Sequence, residues 1–108
     1  MGWIVDAQLK KGWLEICVLS AIEEKETYGY KIVADLAPYV DISESTLYPI
    51  LRRLEQSGAV KSRSAEYNGR LRRYFAITEV GEAKLNDFLE MMSDLERIKS
   101  FLLRGKSE

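Results

Sequence analysis

The sequence predicts a mainly α-helical fold with a small β-hairpin: a winged helix-turn-helix followed by a C-terminal dimerisation helix. Three observations predict it. Apolar residues recur at helical spacing over four separate stretches. The pattern then switches to two short strand-like runs around Asn68-Gly69, a strong hairpin signal. Finally, all of these elements fit within 108 residues, the size of one domain.

The elements follow in order. From residue 8 to about 24, Leu9, Trp13, Leu14, Ile16, Cys17, Val18, Leu19, Ala21 and Ile22 nearly encircle a helix. A helix that is apolar on most sides must be covered on most sides, here in part by a second subunit. Cys17 reads as a small core filler, and Trp13 as a core or interface residue. Thr27 is expected to cap a second helix over 28 to about 37, with Pro38 beyond its end. Its stripe is Ile32, Val33 and Leu36. Residues 39–42 alternate and predict a very short strand. Ser43 then caps a third helix to about residue 57, terminated by Gly58. Leu47, Ile50, Leu51 and Leu54 face inward; Ser45, Tyr48, Pro49, Arg52 and Gln56 face outward. Pro49 predicts a bend or a later helix start, because it removes one backbone hydrogen bond.

Beyond Gly58 the period changes. Strands are predicted over 60–65 and 71–77, with Phe75 and Ile77 on one face together with Arg73, and Arg72, Tyr74 and Ala76 on the other. Thr78 caps the last helix, whose opening turns hold Glu79, Glu82 and Ala83. There Phe88, Met91, Leu95, Ile98 and Leu102 step by three, four, three and four residues, a seam of about two heptads. With no other domain to cover it, the seam is expected to be a contact between subunits. The expected division is a DNA-binding domain with its N-terminal helix over 1–78 and a dimerisation helix over 79–108.

Composition narrows the function. The chain has no histidine and a single cysteine. That removes the usual general base, the usual metal ligand and any Ser-His or Cys-His pair, so neither an enzyme nor a metal or other cofactor is expected. No glycine cluster resembles a phosphate loop. The longest apolar stretch, 13–22, is interrupted by Glu15 and Ser20 and is too short to span a bilayer. The first residues lack a basic region followed by an apolar run, so no export signal is expected. The lone Cys17 suits a reducing cytoplasm.

The net charge of −1 hides an asymmetry. Residues 1–51 carry −4 and residues 74–108 carry −2, whereas residues 52–73 carry +5. A basic segment inside an acidic molecule localises any polyanion site. The third helix, with a polar outer face, can enter a major groove of double-stranded DNA. It would bring Ser45 and Thr46 in near its N-terminus, and Tyr48 and Arg52 further along. Arg63, Arg70, Arg72 and Arg73 on the hairpin would touch backbone or minor groove beside it. Two other classes stay open on the residues alone: a small-molecule sensor governed by a dimer cavity, and a winged-helix module that binds protein and no nucleic acid.

The run Gln8-Leu9-Lys10-Lys11-Gly12-Trp13-Leu14-Glu15-Ile16, then Tyr28-Gly29-Tyr30, then Ser45-Thr46-Leu47-Tyr48-Pro49-Ile50-Leu51-Arg52-Arg53-Leu54-Glu55 closely resembles the PadR family of bacterial and archaeal transcriptional regulators. So does the wing, Gly69-Arg70-Leu71-Arg72-Arg73-Tyr74-Phe75-Ala76-Ile77-Thr78-Glu79-Val80-Gly81. The resemblance covers nearly the whole chain and is similar in length to the smaller subfamily with a short last helix. It implies a homodimer, paired through the last helix with help from the first, that usually represses a nearby operon. It also implies that Ser45, Thr46, Tyr48, Arg52, Arg70, Arg72 and Arg73 lie at the DNA. Two departures stand out. Leu71 occupies a wing position where the family often has proline, so a more mobile wing tip is expected. Met92 stands where some drug-binding members place a tryptophan. If the protein senses a ligand, a small planar aromatic or cationic effector is expected beside Trp13 and Met92.

Overall fold

The computed structural model describes residues 7–106, with backbone alone before Lys11. The reading of the first six residues, the side chains of Gln8, Leu9 and Lys10, and the outer limits of the two expected domains lie outside the described residues. The order is α1 (Ala7–Glu23), β1 (Thr27–Tyr28), α2 (Gly29–Leu36), α3 (Glu44–Gln56), β2 (Val60–Tyr67), β3 (Arg70–Ile77) and α4 (Glu79–Leu103). The strands form one antiparallel sheet in the order β1-β3-β2.

Val18, Leu19 and Ile22 of α1 anchor the core, packed with Ile32 of α2, Leu47, Leu51 and Leu54 of α3, and Val60 and Phe75 of the sheet. Trp13, Leu14, Ile16 and Cys17 are half-buried, so α1 is covered on more than one side. Burial raises the Cys17 thiol pKa, which keeps it protonated and in keeping with a packing role.

Three local expectations are corrected. Thr27 does not cap α2. It lies in β1 opposite Phe75, with its hydroxyl buried and without a hydrogen-bond partner among the described residues. The N-cap is Tyr28, whose side chain makes no capping bond. No strand forms at 39–42, because Tyr39 and Val40 both donate their N–H to the Leu36 carbonyl and turn the chain instead. Of the bend or later start expected from Pro49, the later start does not occur, and α3 begins at Glu44. The Ser43 hydroxyl accepts from Thr46 N at 3.2 Å, and this cap secures the first turn ahead of Pro49.

The turn at Asn68-Gly69 has positive φ at both residues, 52° and 78°, as a tight hairpin of this hand requires. At the end of α3, Gly58 adopts φ 84°. Gly58 N reaches Glu55 O at 3.0 Å and Ala59 N reaches Leu54 O at 2.8 Å, the paired bonds of a Schellman cap. Thr78 ties this cap to the next helix. Its hydroxyl donates to the Gly58 carbonyl and accepts from Gly81 N, while its own N–H meets the Ala59 carbonyl at 3.0 Å.

Gly81 is therefore a packing requirement. A Cβ there would collide with the Ala59 carbonyl oxygen and lie 2.7 Å from Ile77 Cγ1. Backbone cannot step aside cheaply. Gly81→Ala should cost about 1–3 kcal/mol despite alanine's better helix propensity, lowering Tm by roughly 5–20 °C. Thermal melts followed by circular dichroism measure this, and an unchanged or higher Tm would refute the tight approach.

Candidate nucleic-acid interface

On α3 the four buried leucine and isoleucine positions fix the rotation of the helix, which turns Ser45, Thr46, Tyr48, Arg52 and Gln56 outward. The Ser43 hydroxyl is 2.9 Å from Ser45 Oγ and donates to Thr46 Oγ1 at 3.2 Å. Ser45 and Thr46 are thus held at the helix N-terminus, where backbone N–H groups and the helix dipole favour an anion. The Tyr48 ring lies over the start of α2, so close that a Cβ on Gly29 would sit 2.9 Å from Tyr48 Cζ. Tyr48 therefore needs glycine at that position and spans the angle between the two helices.

The arginines sort by partner. Arg52 is exposed on the middle of α3 and has no carboxylate partner among the described residues. Its neighbour Arg53 turns inward to Glu15 of α1 at 3.1 Å, and Lys84 of α4 approaches the same carboxylate at 3.6 Å. Arg63 on β2 holds Glu26 through two bonds of 2.8 and 2.7 Å, which keeps that carboxyl below its ordinary pKa. Arg73 reaches back to Glu55 of α3 at 3.2 Å, beside the Ser62 hydroxyl that donates to the same carboxylate at 2.6 Å. Arg70 stands exposed next to the hairpin turn, again without a carboxylate partner among the described residues. Arg72 has its guanidinium 3.9 Å from the Tyr28 ring and 3.9 Å from the Tyr67 ring.

Between wing and α3 runs an open groove of about 590 Å³. The candidates Tyr48, Arg70, Arg72 and Arg73 line it, joined by Tyr28, Tyr30, Tyr67, Leu71 and Glu44. Arg52 borders a smaller adjoining hollow with Tyr48, Glu55 and Arg73. Ser45 and Thr46 lie apart from the wing groove, and Thr46 borders a different hollow behind α3. The tyrosines at 28, 30 and 67 were not expected here. Tyr67 could have been suspected from its place directly before the Asn68-Gly69 turn, but the approach of Tyr28 depends on a strand pairing across some 47 residues of chain.

The other sequence candidates lie away from this groove. Trp13 and Met92 both line a mostly apolar hollow of about 810 Å³ between α1, the 39–43 segment and α4, along with Cys17 and Phe88. Beyond Leu85 the apolar side of α4 is uncovered: Met91, Met92, Leu95, Ile98 and Leu102 are exposed and Phe88 is half-buried. At 100° per residue these six fall within an arc of roughly 120°. Among the described residues no group of His, Cys, Asp and Glu could hold a metal ion, and no helix is long and apolar enough to cross a membrane.

Residues 18–87 match the family described as "Transcriptional regulator PadR-like family". A PadR family transcriptional regulator from Eggerthella lenta is 33% identical, with 90% of this chain and 87% of that one covered and a TM-score of 0.79. A Streptococcus transcriptional regulator is 34% identical over 90% of this chain and 98% of its own, with a TM-score of 0.77. Bacillus subtilis PadR, solved in complex with operator DNA, is similar in fold: TM-score 0.68 and 22% identity, over 71% of this chain and 46% of that one.

Proposed function

This chain belongs to the PadR-like family of transcriptional regulators, and from that premise we propose that it binds double-stranded operator DNA as a cytoplasmic homodimer and represses transcription. In this reading residues 1–78 bind the DNA and residues 79–108 join the subunits. The observation that carries it is Arg52 on the outward face of α3, with Arg70 on the wing, neither of them held by a carboxylate among the described residues. In an overall acidic molecule these guanidiniums, with donors to spare, suit phosphate oxygens and guanine edges. Arg63 and Arg73, paired on the surface, can exchange their carboxylates for phosphate at small cost. The operator-bound Bacillus subtilis relative gives the same fold a precedent.

A second feature supports a ligand-responsive version of the same function. The hollow that holds Trp13 and Met92 adjoins the uncovered face of α4, so a planar aromatic or cationic effector there would bear on subunit pairing.

One titration tests both. Fluorescence anisotropy of a labelled duplex from upstream of the protein's own gene should show binding whose affinity falls with salt, with a log–log slope of about −0.9 for each phosphate neutralised. Absence of binding at low salt would overturn the DNA reading. An effector should quench tryptophan emission and release the duplex at the same concentrations, since coupling is reciprocal. Quenching with unchanged DNA affinity would leave the ligand without a regulatory role.

A further inference from the structure

The sheet face opposite Phe75 carries a continuous run of cations and rings. Tyr28 of β1 pairs with Tyr74 of β3, and the two rings meet edge-on with centroids 5.9 Å apart. Arg63 of β2, directly across from Tyr74, lies 5.0 Å from that ring's centroid. Two residues along β3, Arg72 pairs with Ala65, which places Tyr67 on its diagonal. Its guanidinium is held between the Tyr28 and Tyr67 rings, 3.9 Å from each. One ring belongs to the first strand and the other to the far end of the second, so the sandwich crosses the whole sheet.

The chemistry of that sandwich is specific. A guanidinium is planar, and its N–H donors all point outward within the plane. With its central carbon over two aromatic rings, the guanidinium has its charge taken up without any donor being spent. Arg72 makes no hydrogen bond or ion pair among the described residues, so its entire donor edge is unspent. Arg72 lines the groove between the wing and α3. A long arginine side chain ordinarily loses rotamer freedom when it grips an anion; here the rings have fixed it beforehand.

We propose that Tyr28 and Tyr67 are positioning residues that clasp Arg72 so that its in-plane N–H edge is presented, already ordered, to a DNA phosphate. The proposal rests on the DNA-binding reading above and extends it to two residues that carry no charge. Arg70 is the contrasting case: exposed beside the turn, with no ring against it among the described residues.

The experiment compares Tyr67→Leu, Tyr67→Phe, Arg72→Ala and the double variant Tyr67→Leu/Arg72→Ala by anisotropy on the upstream duplex and on a mixed-sequence duplex, over a salt series. Tyr67 is chosen because it is 48% exposed and lies at the strand end, so its loss spares the core. Tyr67→Leu should weaken both duplexes alike by roughly fivefold, the size of one cation–π contact, and leave the salt slope at the wild-type value because the charge remains. Arg72→Ala should reduce the slope by about one unit. Tyr67→Phe, which keeps the ring, should bind as wild type. The double variant should match Arg72→Ala alone, since the tyrosine acts only through the arginine.

A Tyr67→Leu loss that persists undiminished in the Arg72→Ala background would overturn the proposal, because Tyr67 would then touch DNA itself. So would Tyr67→Leu binding as wild type. A wild-type protein that binds neither duplex overturns the DNA reading and this inference with it, and is told apart by failing in every arm.

Discussion

Leu95→Asp combined with Ile98→Asp is expected to convert the proposed dimer to folded monomers. In the single chain these side chains are 50% and 49% exposed, so aspartate there removes little that holds the fold. Covering Phe88, Met91, Met92, Leu95, Ile98 and Leu102 with a second copy would bury side chains worth about 1.5–3 kcal/mol each when fully covered. Two carboxylates brought into that dry seam cost several kcal/mol as an order of magnitude, and a two-fold interface counts each substitution twice. A loss of about 4 kcal/mol already weakens association roughly a thousandfold. Light scattering at micromolar concentration reads the mass, and circular dichroism on the same sample reports that the chain is folded. A variant that stays dimeric would remove α4 from the interface, and a wild type that is strictly monomeric would remove the dimer.

Arg52→Ala should cost about 1–3 kcal/mol per half-site on the specific operator and much less on mixed-sequence DNA. The reason lies in the contrast with Arg53. Arg53 turns inward to Glu15, while Arg52 extends from the middle of the helix with no carboxylate partner among the described residues, where a guanidinium can meet guanine O6 and N7. Arg70→Ala should instead weaken both DNAs alike and shrink the salt slope by about one unit, the mark of a phosphate contact. Arg73 is the poorer probe, because its removal breaks the ion pair with Glu55 and takes away a cation 5.8 Å from the Phe75 ring, and melts must accompany it. If folded Arg52→Ala binds the operator as tightly as wild type, Arg52 reads no base.

What the sequence made legible depended on the range of the forces involved. The four helices and the hairpin follow from local periodicity, from caps such as Ser43 and Thr78, and from the Asn68-Gly69 turn, all of which act within a few residues. β1 was missed because its two residues have no period of their own and exist as a strand only through pairing with Tyr74 and Phe75. The same pairing buries Thr27, whose hydroxyl looked like a cap. Residues 39–42 alternated, but strand formation needs a neighbouring strand, and the chain turns back on Leu36 instead. The basic segment was plain from composition alone. Which of its arginines are paired was not, since Glu15 comes from α1, Glu26 from the connection between α1 and β1, and Glu55 from α3.

The joint between α3 and α4 has a mechanical consequence. The cap that ends one helix and the cap that begins the other share Gly58, Ala59 and Thr78, and Gly81 presses against that same carbonyl. The two helices are thus riveted at one point, with no slack between them. From that rivet α4 extends 25 residues, about 37 Å, most of it standing clear of its own subunit. It is a tiller. A tilt too small to disturb either cap becomes several ångströms at its far end. Conversely, a partner that gripped the far end of α4 would bear on α3 through this joint at Ala59, itself a residue of the core. In a dimer joined along α4, the crossing angle of the two tillers would set the gauge between recognition helices, and the preferred half-site spacing on DNA is where that gauge would be read.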